Sequence, residues 1–171
     1  MNARVRVVAV VLGLAAAVAP PARAFDPAET FKKGTYVLSL EGGYGEQFNL
    51  EGFTNQSDIT FVNLGFRSSL LPWGPTGAGA LKGALELGLE PVYQKYTDPK
   101  PAFWAGLAAV GRYHFLSLGR FVPYVELAAA PGGTDLRVKE IDSEFSFLLW
   151  GGVGGALFVT DSSAVYAGYR Y

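Results

Sequence analysis

The stretch ALKGALELGLEPVY, residues 80–93, decides the fold. Leu81, Leu85, Leu87 and Leu89 fall on every second position, with Gly83 among them, and Lys82, Ala84, Glu86, Gly88 and Glu90 fill the places between. On a helix, neighbours on one face are three and four apart, so the two sets would mix. On a strand they separate cleanly into an apolar face and a polar one.

Six further stretches alternate in the same way. In TYVLSLEGGYG (35–45), Tyr36, Leu38, Leu40 and Tyr44 oppose Val37, Ser39 and Glu41. In ITFVNLGFRSS (59–69), Val62, Leu64 and Phe66 oppose Asn63, Gly65 and Arg67. AFWAGLAAVGRYHF (102–115) sets Phe103, Leu107, Tyr113 and Phe115 against Gly106, Arg112 and His114. FVPYVELAAA (121–130) sets Val125 and Leu127 against Tyr124 and Glu126. EFSFLLWGGVGGALF (144–158) places Phe145, Phe147, Leu149, Val153 and Leu157 opposite Ser146, Trp150 and small residues. SAVYAGYRY (163–171) places Val165, Tyr169 and Tyr171 opposite Tyr166 and Arg170. The intervening LLPWGPTGAG, YTDPKP, SLGR and TDS are turn-like, and PGGTDLRVKEIDS is a longer charged connection. Trp73 in the first of them could sit at a membrane interface.

The front of the chain reads differently. Arg4 and Arg6 precede an apolar run, VVAVVLGLAAAVA (7–19), and Ala22-Arg23-Ala24 follows as a small-x-small site. This is a secretory leader over residues 1–24, cleaved before Phe25. A membrane-anchoring helix would need about 20 apolar residues. The leader holds three of the 14 Lys and Arg residues and none of the 15 acids, which leaves 11 basic against 15 acidic residues, a net charge of −4. No basic face for nucleic acid is visible. With no cysteine and one histidine, thiolate catalysis, disulfides and Cys- or His-rich metal sites are excluded. Residues 25–33 read either as a short helix or as a lead-in.

Alternation, abundant glycine and aromatics, and a leader together predict an all-β fold over residues 25–171, a small antiparallel transmembrane β-barrel. Its polar face collects Glu41, Arg67, Lys82, Glu86, Glu90, Arg112, His114 and Glu126. Arg67 and Arg112 are expected to pair with some of the glutamates in a filled lumen. The soluble alternative, a lipocalin-like barrel, would turn the leucines inward. Seven strands are countable where such barrels have an even number. Either a strand is hidden, with residues 25–33 as the candidate place, or the chain stops short of its last strand at Tyr171. A final aromatic on an alternating strand is also how complete outer-membrane barrels end.

The order of GRYHF (111–115), PYVELAAAPGGTD (123–135), FSFLLWGGVGGALF (145–158) and VYAGYRY (165–171) resembles the outer-membrane lipid A 3-O-deacylases, the acyloxyacyl hydrolase type. The likeness covers roughly the last 90 residues, and the first half only in layout. It implies an eight-stranded barrel in the bacterial outer membrane, with lipid A of lipopolysaccharide as partner and no cofactor or metal. It further implies serine-type ester hydrolysis that releases a 3-hydroxyacyl chain. In that family a strand like GYRY continues into a His-x-Ser-Asn segment, with a glutamate on the next stretch, on the lipid-facing side. These have no counterpart before Tyr171, so no catalytic residue transfers and residues 1–171 are expected to be inactive. His114 and Ser117 have the wrong spacing and opposite faces, and His114 is expected in the lumen or at its rim. Ser146 is expected to be a small spacer. Asp135, Glu140, Asp142 and Glu144 make an acidic loop, ordinarily solvated, with a cation site as the sharper reading. The rival to the hydrolase is a non-enzymatic small barrel complete at Tyr171.

Overall fold

A computed structural model describes residues 10–16 (as backbone), 25–47, 59–137 and 143–171. The strands are β1 (Val10–Ala16), β2 (Tyr36–Glu46), β3 (Thr60–Leu70), β4 (Gly83–Asp98), β5 (Ala102–Phe115), β6 (Phe121–Thr134), β7 (Phe145–Phe158) and β8 (Ser163–Arg170). One short helix, α1 (Pro27–Thr30), precedes β2. The seven alternating stretches are the seven strands β2 to β8. Each pairs antiparallel with the next in chain order, and the sheet curls. Its connections are up-and-down hairpins, the simplest way to join antiparallel strands.

The faces are those the alternation predicts. Leu87 and Leu89 are 44% and 54% exposed on the convex side, whereas Glu86 and Glu90 are 3% and 0% exposed on the concave side. The lipocalin-like alternative, with leucines inside, is thereby overturned. One residue departs: Lys82 lies before β4 and is exposed, so it does not belong to the interior set.

The interior is layered. At one end Phe31, Leu71, Leu116, Val122, Tyr124 and Tyr166 form an apolar floor. At the other, Ile59, Val92, Tyr96, Trp104, Val110 and Leu136 form an apolar roof. The ionic side chains lie between. Helix α1 belongs to the floor. Asp26 caps it by accepting the Ala28 N–H at 2.9 Å, Pro27 supplies the fixed φ of a first turn, and Phe31 at its end is buried. Residues 27–30 are therefore helix, and no strand is hidden there. The tight turn from β5 to β6 needs a left-handed residue, which Gly119 supplies at φ 64°.

Strand β1 lies within the apolar run read as a leader. Its backbone pairs antiparallel with β2, from Val10 opposite Tyr44 to Ala16 opposite Leu38. It also pairs with β8, from Val11 opposite Gly168 to Ala16 opposite Ser163. A strand at this place is absent from the sequence expectation, because a run of 13 mostly aliphatic residues carries no period-two signal.

Candidate functional site

Charged side chains converge inside the curl from six strands. Arg67 on β3 is fully buried and donates from Nε to Glu90 on β4 at 2.7 Å and from Nη2 at 2.5 Å. Its other contacts, at 3.4 Å each, reach Glu41 on β2 and Glu126 on β6. Arg112 on β5 holds Glu126 through Nη2 at 2.6 Å and Nε at 3.0 Å. Its guanidinium also lies 4.2 Å from the Tyr124 ring centroid and 5.0 Å from that of Tyr166. A third arginine, Arg170 on β8, bonds Glu126 at 2.5 Å and pairs with Glu41. The expected pairs of Arg67 and Arg112 with glutamates are present. The part of Arg170 was missed, because its partners lie 44 and more residues away in the chain.

Four carboxylates (Glu41, Glu86, Glu90 and Glu126) thus meet three guanidiniums and the imidazole of His114. Buried charges persist only when paired and hydrogen-bonded. Every carboxylate here meets at least two donors, although Glu90 Oε1 and Arg170 Nη2 are buried without a hydrogen-bond partner among the described residues. Glycine on the facing strand makes the room: a Cβ at Gly65 would overlap the Glu90 carboxylate, and one at Gly152 would touch Glu126 and Arg170.

His114 is buried as expected, and its Nε2 lies 2.6 Å from Glu86 Oε2. Ser69 donates its hydroxyl to the other Glu86 oxygen at 2.5 Å. The acid therefore sits between serine and histidine. Nucleophilic activation requires the histidine between serine and acid, so this trio is not an esterase centre. Beside it is a cavity of about 40 Å³ under Phe31, lined by Ser39, Glu86, Arg112 and His114. It is too small for an acyl chain.

Trp104, 1% exposed, is the anchor of the roof, and its Nε1 donates to Ser146 at 2.9 Å. Ser146 is thus the hydrogen-bond partner of a buried indole and not a mere spacer. The indole lies over Gly106 and Gly132, where any Cβ would overlap its ring. Gly132→Val is expected to displace Trp104 and cost about 1–3 kcal/mol, as overpacking does. A red-shifted tryptophan emission with an earlier unfolding midpoint would report it, and an unchanged spectrum would contradict the packing.

The convex face is apolar and banded. Leu40, Leu64, Leu87, Leu107, Leu127 and Leu149 occupy its middle, between 44% and 75% exposed. Aromatic rings lie toward both ends. At the floor end are Tyr36, Trp73 and Phe121; at the roof end are Tyr44, Tyr93 stacked on Phe103 at 6.1 Å, and Phe145 edge-on to Phe147 at 5.0 Å. A shallow depression of about 500 Å³ lies where small residues, Ala109, Ala129 and Gly151, are flanked by Leu127, Leu149 and Tyr171.

Ser117 lies in the exposed turn after β5, away from His114. In the acidic loop, Asp135 accepts the Phe103 N–H at 2.6 Å and Glu144 pairs with Arg137 at 3.1 Å, while Glu140 and Asp142 lie outside the described residues. Among the described residues no group of three or more His, Cys, Asp or Glu side chains is arranged to hold a metal ion. Comparison of the chain with protein-family models, with curated proteins and with solved structures returns no match.

Proposed function

We propose that this chain is a small outer-membrane β-barrel of the lipid A 3-O-deacylase type, whose residues 1–171 supply the lipid-facing scaffold and not the hydrolytic groups. The observation that carries the membrane reading is the convex band of leucines between two aromatic girdles, with every buried charge among the described residues on the other side. Lipid as the outer solvent accounts for so large an apolar surface, since water would not tolerate it on a monomer. Strands β2 to β7 have 11 to 16 residues, enough for a hydrocarbon core that needs roughly 9–11. The filled interior argues against a porin.

The hydrolase part rests on the resemblance over roughly the last 90 residues, carried by the pieces between 111 and 171. In that reading the depression beside Tyr171 takes an acyl chain of lipid A from the same leaflet. The single histidine is committed to Glu86 in the interior, so residues 1–171 contain no His-x-Ser-Asn segment of that family's kind. The polypeptide of residues 1–171, refolded into lipopolysaccharide-containing vesicles, is expected to insert and to release no 3-hydroxy fatty acid. Extending it beyond Tyr171 with a His-x-Ser-Asn segment and a glutamate-bearing strand is expected to switch release on. Release without the extension would overturn the assignment of roles. Insertion with no release from the extended chain would leave the non-enzymatic barrel.

A further inference from the structure

Two side chains in the wall of the floor cavity carry a buried polar atom with no hydrogen-bond partner among the described residues. They are Ser39 on β2, through Oγ, and His114 on β5, through Nδ1, and they are 2% and 5% exposed. The cavity, about 40 Å³, exists because Ser39, Ala156 and Ala164 are small where their strands meet the floor. Glu86 and Arg112 also line it. Both Glu86 oxygens are already engaged, one by the Ser69 hydroxyl and the other by His114 Nε2. Phe31 closes the floor side: its ring lies 4.9 Å from that of His114 and 5.5 Å from that of Phe158. Beside it, Thr30 donates its hydroxyl to the Asp161 carbonyl at 3.0 Å. A buried polar group without a partner costs free energy, which a bridging water removes.

We propose that this cavity is a built binding site for water, held between Ser39 Oγ and His114 Nδ1 beneath a lid made by Phe31. Size, charge and hydrogen-bonding capacity each narrow the ligand. A volume of about 40 Å³ admits roughly one to three waters, at about 10–15 Å³ each, and no larger molecule. A cation would face the Arg112 guanidinium, and an anion would face the Glu86 carboxylate. An apolar ligand would leave Ser39 and His114 as they are. Because a carboxylate only accepts, His114 Nε2 carries the proton in its bond to Glu86. Nδ1 is then an acceptor in the neutral ring and a donor in the charged one. Water serves both states, and the Ser39 hydroxyl can turn to serve either. The bound water gives the imidazole its second hydrogen bond, which fixes the plane of the ring that holds Glu86.

The site depends on neither the membrane reading nor the hydrolase reading, and its test uses the full chain folded in detergent micelles. Oxygen-17 relaxation dispersion of water counts long-lived internal waters and does not respond to exchangeable protein protons. The unaltered chain is expected to hold at least about one more such water than Ser39→Val, which removes a partner and puts carbon into the cavity. Phe31→Ala is expected to lose the same contribution, because the water then exchanges freely. It should also let diethyl pyrocarbonate modify His114, the single histidine, about tenfold faster or more, as loss of a local closure does. Equal dispersion in the unaltered chain and Ser39→Val would overturn the water site. Unchanged dispersion and unchanged modification in Phe31→Ala would overturn the lid. Should either variant fail to fold, the nuclear Overhauser effect from water to the imidazole ring of the unaltered chain decides the site: its presence supports bound water, and its absence means a dry cavity.

Discussion

Arg67→Ala is expected to destabilise the fold by about 3–5 kcal/mol, the largest effect of any single substitution considered for this chain. The reason is arithmetic and position together. Arg67 is completely buried and touches three of the four interior carboxylates. Glu90 depends on it most, since its next cation, Arg170 Nη1, is 3.8 Å away. Truncating the guanidinium leaves buried negative charge with no compensating donor, and that penalty exceeds anything lost in packing. Urea unfolding in micelles or vesicles measures it. Adding Glu90→Gln to Arg67→Ala should recover part of the loss, because contacting residues are not additive. A loss under about 1 kcal/mol would mean that water enters the interior and screens these charges.

Leu127→Arg should separate the two solvents that could surround the sheet. Leu127 is 74% exposed at the middle of the convex band. If lipid is outside, an arginine there costs about 2–4 kcal/mol near the bilayer midplane. If water is outside, an exposed Leu→Arg change stays within about 0.5 kcal/mol. Comparing folding of the variant into vesicles with that of Leu81→Arg, whose site is 71% exposed but precedes β4, controls for exposure alone. Equal costs at both sites would remove the case for a membrane-spanning barrel.

Much of this was legible in particular residues. The alternation of Leu85, Leu87 and Leu89 with Ala84, Glu86, Gly88 and Glu90 assigned both faces of β4, because a strand has one degree of freedom in face and the period exposes it. The pairing of Arg67 and Arg112 with glutamates followed once those residues shared an interior. Other features were not legible. Trp104 and Tyr96 sit on the interior face and close the roof, although period two marks them only as a break in the polar set. Ser146 serves Trp104 from 42 residues away, and nothing near it in the chain announces that.

By itself, the sequence determined the class of fold, the seven strands β2 to β8, the face of each and the burial of His114. These depend on contacts between neighbours two apart, which composition and spacing encode directly. Only the tertiary structure decided which arginine holds which glutamate, that Arg170 joins them, that α1 and Phe31 form a floor, and that β2 and β8 stand one strand apart. Those depend on curvature, which brings together residues separated by tens to more than a hundred positions, and no local pattern records a distance across a curled sheet.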